Sequence, residues 1–389
     1  MKKVFLTTIA LLSIASASVF GMYGANSGWI NFLTHGNQFR ARMEQLGFTL
    51  GNDTIKGTFG FFNDGRGTAY GSMLSLSSNA SDLYYDFTPT ISMGLAYTSS
   101  LISVGVGYNA TIGPNWTKIN GKKTEAVVHT PVLVLNAMDN AFRMAIPIQV
   151  VNLTDKATDG KGSVTAVSLE AQFRYYSGLD FLPQIRLYIK YGNYGYNLSG
   201  GGEKFKETLA ESFGFDFRLY FGSMVEEVAI QPIVKLAYNG ALGKQHNVRN
   251  VTALSALDDS ADFAGQLAET FAGTGTIPAS TYSTGATWKK GAWDLTLAPA
   301  LGITANSDIV SLYVEPSLGL KITQEGSATD SKVKELYGLA WGTYAEIYIT
   351  PLKNLEWYFE ADVGGATAPA QPTVNLAAST GITWYLPAL

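Results

Sequence analysis

Residues 91–110 read Ile-Ser-Met-Gly-Leu-Ala-Tyr-Thr-Ser-Ser-Leu-Ile-Ser-Val-Gly-Val-Gly-Tyr-Asn-Ala, and the rhythm of this stretch decides the fold. Ile91, Met93, Leu95 and Tyr97 alternate with Ser92, Gly94, Ala96 and Thr98. After a turn at Ser99 and Ser100, Ile102, Val104, Val106, Tyr108 and Ala110 alternate with Ser103, Gly105, Gly107 and Asn109. Successive side chains of a strand point to opposite faces, so a period of two builds one greasy face and one small or polar face. Two such runs across a short turn are a β-hairpin.

The same alternation recurs to the C-terminus. It predicts an all-β chain, a transmembrane antiparallel β-barrel of about fourteen strands. They fall at 48–62, 90–98, 101–112, 126–137, 141–151, 163–176, 181–196, 211–222, 226–238, 290–304, 309–322, 335–350, 354–364 and 373–386. Sixteen strands follow if part of the region before Phe48, or of 63–89, also pairs into the wall. Short connections near 99–100, 138–140, 177–180, 222–225, 306–308 and 350–353 alternate with long ones at 63–89, 113–125, 152–162, 197–210, 239–289, 323–334 and 365–372. Outer-membrane barrels place short turns in the periplasm and long loops outside, which puts both chain ends in the periplasm.

Charge placement separates a membrane barrel from a soluble sandwich. With the bulky apolar residues facing outward, Lys56, Arg143, Glu170, Arg174, Arg186, Lys190, Asp216, Arg218, Lys235, Asp294, Glu315, Lys321, Glu346, Glu356, Glu360 and Asp362 all fall on the opposite face. Within the predicted strands only Glu335, at one edge, breaks the rule. A Lys or Arg facing lipid at mid-bilayer costs about 2–4 kcal/mol, so the asymmetry has a physical cause. The predicted strands also exceed the roughly 5–6 residues common in soluble sheets. Aromatic residues near strand ends, among them Tyr97, Tyr108, Tyr175, Phe181, Tyr191, Phe221, Tyr238, Trp357 and Trp384, suit the two interfacial girdles. Pro131, Pro183, Pro232, Pro299 and Pro316 fall inside or beside predicted strands, where strand ends or bulges would accommodate them.

The start of the chain differs. Lys2 and Lys3 precede a short apolar run, Val4 to Ile14, and then Ala15-Ser16-Ala17-Ser18. This reads as an export signal over 1–21, cleaved after Ala17 or after Gly21. Its removal takes the net charge from −4 to −6, a sign that argues against nucleic acid as a partner. Over 22–47, Trp29, Phe32, Leu33, Phe39, Met43 and Leu46 recur every three to four residues, which predicts a helical segment, periplasmic or plugging the lumen, before a barrel spanning 48–389.

The chain has no cysteine, which excludes disulfides, thiolate metal sites and a lipid anchor on cysteine. Its histidines are His35, His129 and His246. No nucleophile–base–acid arrangement gathers around them, and His246 with Asp258, Asp259 and Asp262 matches no metal-ligand spacing. The expectation is a protein that is not an enzyme, without cofactor or metal.

The inward charges carry more information. Strands five to nine contribute Arg143, Arg174, Arg186, Lys190, Arg218 and Lys235; strands ten to thirteen contribute Asp294, Glu315, Glu346, Glu356, Glu360 and Asp362. A basic wall opposed to an acidic one would set a transverse field across a water-filled pore. The competing reading is a closed barrel filled by inward salt bridges. A helical stretch near Ala253–Phe271, in the longest loop, could enter the mouth or cap it.

The beginning of the mature chain also carries a family signature. Gly21-Met22-Tyr23-Gly24, Trp29-Ile30-Asn31-Phe32-Leu33-Thr34-His35-Gly36-Asn37-Gln38-Phe39-Arg40-Ala41-Arg42-Met43, Leu46-Gly47-Phe48 and Gly51-Asn52-Asp53-Thr54-Ile55-Lys56-Gly57-Thr58-Phe59-Gly60 resemble the variable surface proteins (Vsp) of intestinal spirochaetes. The resemblance implies an abundant, surface-exposed outer-membrane antigen and brings no catalytic residues with it. The expected partners are outer-membrane lipid, host molecules or antibodies at the loops, and small solutes or ions if the barrel conducts. A barrel-anchored adhesin without channel activity is the alternative. One departure stands out: many outer-membrane barrels end on an aromatic residue, whereas this chain ends Trp384-Tyr385-Leu386-Pro387-Ala388-Leu389.

Overall fold

The computed structural model describes residues 23, 28–42, 45–63, 89–112, 118–119, 122–123, 127–155, 161–200, 202–222, 224–225, 228–242, 248–253, 289–327, 332–367 and 373–387. The segment read as an export signal, and the stretch read as helical after Ala253, lie outside them.

Sixteen antiparallel strands close into a barrel. They are Gln38–Arg42 (β1), Gln45–Gly51 (β2), Ile55–Asn63 (β3), Pro89–Tyr97 (β4), Ile102–Ile112 (β5), Val127–Ala137 (β6), Phe142–Asp155 (β7), Lys161–Tyr176 (β8), Gln184–Gly200 (β9), Glu203–Tyr220 (β10), Val228–Ala241 (β11), Trp293–Asn306 (β12), Val310–Gln324 (β13), Leu336–Leu352 (β14), Leu355–Ala366 (β15) and Thr373–Tyr385 (β16). Each strand pairs with its sequence neighbour, and β1 pairs with β16 in a register running from Gln38↔Tyr385 to Arg42↔Gly381. Closure leaves no edge, so every strand's backbone donors and acceptors find partners without water.

The count is sixteen, where about fourteen were expected. The stretch 48–62 is two strands, divided at Asn52–Thr54, where the Asn52 side-chain oxygen accepts from the amides of Thr54 and Ile55. The remaining strand, β1, comes from the segment read as helical. Among the described residues there, only Trp29–Asn31 forms a turn of 3-10 helix. Farther on, Phe39, Leu46 and Phe48 face outward while Gln38, Arg42 and Gln45 are buried inside. The same apolar residues fit both periods, and the unpaired edges of β2 and β16 select the strand.

The region 197–210, expected to be a loop, is hairpin. β9 and β10 run on to Gly200 and Glu203, turning through Gly202 at φ +87°, a conformation that glycine adopts freely. Lys204, Lys206 and Glu211 face outward on this extension, and the Tyr191 hydroxyl donates to Glu211 at 2.6 Å. Among the described side chains of the strands, the outward face thus carries charge only where this hairpin rises past the apolar band, and Glu211, at the edge of the predicted strand 211–222, joins Glu335 as an exception to the one-sided charges. Pro131, Pro299 and Pro316 lie where the β6–β7 and β12–β13 ladders are interrupted, so their missing N–H groups break no pairing there.

Outward positions are apolar and exposed: Met93, Leu95, Tyr97, Val104, Val106, Leu318, Leu339, Trp357 and Trp384 are examples. Such a belt is meant for lipid. A Leu95→Arg substitution is expected to cost about 2–4 kcal/mol of folding free energy in bilayers, measured by urea titration, whereas Ser92→Thr on the inner face should shift it little.

Candidate functional site

The interior is divided into sectors. Along β4–β6 much of the inner face is small or apolar, including Gly94, Ala96, Gly105, Gly107, Val132 and Val134, and the N-terminal segment packs against it. Tyr23, Trp29, Ile30, Phe32 and Leu33 form one buried cluster with Ala96, Val132, Val134 and Ala145. A side chain at Gly107 would meet the Trp29 ring at 2.3 Å, and one at Gly94 would meet it at 2.8 Å. The glycines on the inner face of the quoted hairpin therefore make room for an indole. Trp29 Nε1 donates to Asn109 Oδ1 at 3.2 Å, and Lys56 Nζ donates to the carbonyls of Leu33 (2.9 Å) and His35 (2.6 Å).

The cationic sector is a row. Arg143 on β7, Arg174 on β8, Arg186 on β9, Arg218 on β10 and Lys235 on β11 are direct cross-strand partners in sequence. Neighbouring strands lie about 4.8 Å apart, and like charges directly opposite each other destabilise a sheet. Tyrosines two residues away soften this: Arg143 lies over the Tyr176 ring at 4.6 Å, Arg186 over Tyr220 at 4.5 Å and Arg218 over Tyr188 at 5.1 Å. Carboxylates engage the far end of the row. Asp216 holds Arg218 at 2.5 Å, and Glu315 binds Lys235. For Arg143, Arg174 and Arg186 the partners are neutral: Arg143 donates to Asn140 O and Thr34 Oγ1, Arg174 to Asn31 Oδ1 at 3.1 Å, and Arg186 to Gln184 Oε1 at 3.1 Å.

The acidic sector is held by tyrosine hydroxyls. Tyr313 donates to Glu315, Tyr344 and Tyr348 donate to Glu346, and Tyr385 donates to Glu356 at 2.9 Å. Glu360 is the register partner of Glu346, and Asp362 that of Tyr344. Asp294 accepts from Asn239 at 3.1 Å, and Lys190 sits 4.0 Å from Glu170. The two sectors adjoin, meeting at the Lys235–Glu315 ion pair. The inward charges were readable from alternation; the tyrosines and the plug contacts were not anticipated. A signal for the tyrosines exists, since inward charge and tyrosine recur at a spacing of two in Arg174/Tyr176, Arg186/Tyr188, Arg218/Tyr220, Tyr313/Glu315, Tyr344/Glu346/Tyr348 and Glu356/Tyr358.

Residues 248–253, within the long connection after β11, also enter the lumen. Val251 and Ala253 are buried, and their amides donate to Ser212 Oγ (2.7 Å) and Ser168 Oγ (2.8 Å). Ser168, Gly192 and Ser212 form one cross-strand row, and a side chain at Gly192 would strike the Val251 carbonyl at 1.9 Å. This row lies six residues from the arginine row along β8, β9 and β10, or about 20 Å at strand rise.

Two outcomes are expected from these contacts. Trp29→Ala should cost about 3–5 kcal/mol and free the N-terminal segment to proteases. Gly192→Leu should expel Val251 and make 248–253 cleavable with the barrel intact; unchanged cleavage maps would refute either packing. The plug also responds to pH. Burial first, and then Arg40, Lys56, Arg42 and Arg143, hold His35 well below its usual 6.5. The unfolded segment therefore takes up the proton first, so plug stability should fall as pH drops below about 6.5, read by protease protection.

Several solved structures are similar to this chain at low identity. The translocator domain of the autotransporter NalP from Neisseria meningitidis shares 13% identity with a TM-score of 0.32, covering 98% of both chains. A loop-deletion mutant of OmpT, an outer-membrane protein of Vibrio cholerae, shares 8% with a TM-score of 0.36, over 90% of this chain and 98% of that one. The outer-membrane channel DcaP of Acinetobacter baumannii shares 10% with a TM-score of 0.29, over 90% and 95%. No curated protein matches. The family described as the Serpulina hyodysenteriae variable surface protein matches residues 2–385, nearly the whole sequence and far beyond the N-terminal signature. With its closed wall, lipid-facing apolar belt and inward charges, this chain is an outer-membrane β-barrel that belongs to the variable surface protein family.

Proposed function

We propose that this protein is exported by its N-terminal signal and displayed on the cell surface as a variable antigen. In this reading its lumen passes small ions and solutes. The short-turn end faces the periplasm, and the long connections face outside. The observation that carries the channel reading is the charge imbalance of the inner row. A barrel filled only for stability would neutralise its interior, because unpaired charge in a low dielectric is strongly unfavourable. Here Arg143, Arg174 and Arg186 stand side by side with no carboxylate on them among the described residues. Water and passing anions supply the compensation.

A second reading, a barrel that only anchors host-binding loops, draws support from the two lumenal insertions at Trp29–Leu33 and Val251–Ala253. Planar bilayers separate the readings. The channel reading expects discrete conductance steps with anion preference, and a reversal potential that moves toward cation preference when Arg174, Arg186 and Arg218 are all changed to Gln. Silent bilayers would leave the anchor reading. For the antigen role, antibodies against the long connections should label intact cells, and labelling only after permeabilisation would reverse the orientation.

A further inference from the structure

We propose that the turn-end halves of β8 and β9 carry a binding site for a phosphate-type oxyanion. Three inward-facing register pairs lie one above the other there: Tyr176↔Gln184, Arg174↔Arg186 and Gln172↔Tyr188. Arg174 and Arg186 are each only 5% exposed. Each nonetheless leaves its Nε without a hydrogen-bond partner among the described residues. Gln184 is 7% exposed, and its amide orientation is set because Oε1 accepts from Arg186; its Nε2 remains an unused donor. The buried Tyr176 hydroxyl has no acceptor. Arg143, in the same row as Arg174, adds a third guanidinium.

Buried polar groups are almost always satisfied, so a cluster of idle donors on two adjacent strands asks for a ligand. The chemistry of the cluster names its class. Guanidinium, amide and phenol groups all offer protons, and no carboxylate engages Arg143, Arg174 or Arg186 among the described residues. A cation has no place there, and a neutral solute would leave the charge uncompensated. An anion with several acceptor oxygens satisfies both needs through charge-assisted hydrogen bonds. Gln172, one pair farther from the turn end, offers the complementary group, an unpartnered buried Oε1. That acceptor suits the hydroxyl that a hydrogen phosphate retains and a simple carboxylate lacks. The site requires no flux through the barrel and stands whether or not the channel conducts.

The test is calorimetric titration of the folded full-length barrel in detergent with inorganic phosphate at constant ionic strength. Parallel arms use glycerol phosphate, acetate and chloride. Saturable binding of phosphate with one site per chain is expected, with acetate and chloride at least tenfold weaker. Equal affinity for glycerol phosphate would identify a phosphomonoester group as the ligand chemistry, and its exclusion would identify the free ion. Arg174→Gln with Arg186→Gln should weaken phosphate at least a hundredfold, and Tyr176→Phe several-fold. Should the double variant misfold, Gln184→Glu serves instead. It sets a carboxylate against Arg186, and is expected to abolish phosphate binding while raising Tm and removing its dependence on phosphate. No saturable heat, undiminished binding in the variants, or a response that follows ionic strength alone would overturn the proposal.

Discussion

The constraint behind this structure is that a lipid bilayer offers nothing to a bare peptide group. Each N–H and C=O at membrane depth must be paired within the protein, and a sheet can meet that demand only by closing. Closure depends here on a five-residue strand, Gln38–Arg42, laid between Thr373–Tyr385 and Gln45–Gly51. The two ends of the chain thus meet in one seam. The same segment that completes the ladder carries Tyr23 and Trp29–Leu33 into the lumen just before it, so sealing the wall and filling part of the interior are a single structural event.

A closed wall also creates an interior that must be reconciled with its own charges. Three solutions coexist around this barrel. One sector is stripped to glycine and small residues and covered by the aromatic plug. Another holds carboxylates on tyrosine hydroxyls. The third lines up cations from β7 to β11, where Arg218 and Lys235 meet carboxylates but Arg143, Arg174 and Arg186 have tyrosine rings and neutral oxygens as their nearest company. The third is the least compensated, and both the transport reading and the oxyanion site grow out of that deficit. The Ser168–Gly192–Ser212 row adds a second level, where loop backbone supplies hydrogen-bonding groups to inward serines.

The alternation at Ile91–Ala110 was sufficient to read the hairpin, its outward face and the small inner residues, because a period of two maps directly onto pleat geometry. Inward charges were legible for the same reason. The purpose of Gly94 and Gly107 was not, since the indole they accommodate comes from Trp29, dozens of residues upstream and without any sequence mark linking them. The helical reading around Phe39 and Leu46 failed because so short a run of apolar residues fits both periods, and a non-local demand, the open seam, decided between them. Likewise the hairpin over 197–210 continues past the lipid-facing band, where alternation weakens and its outward side chains become Lys204, Lys206 and Glu211.

By itself, then, the sequence determined the membrane barrel, the inside and outside of each strand, and the sign of charge along the inner face, all of which follow from local periodicity and the cost of placing charge in lipid. Tertiary structure decided the strand number, the seam, the plug, and the meeting of basic and acidic sectors at Lys235 and Glu315. It also aligned Arg143, Arg174, Arg186, Arg218 and Lys235 into one row. Those features depend on register between strands, and a shift of two residues in any pair preserves every sequence pattern while dissolving the row.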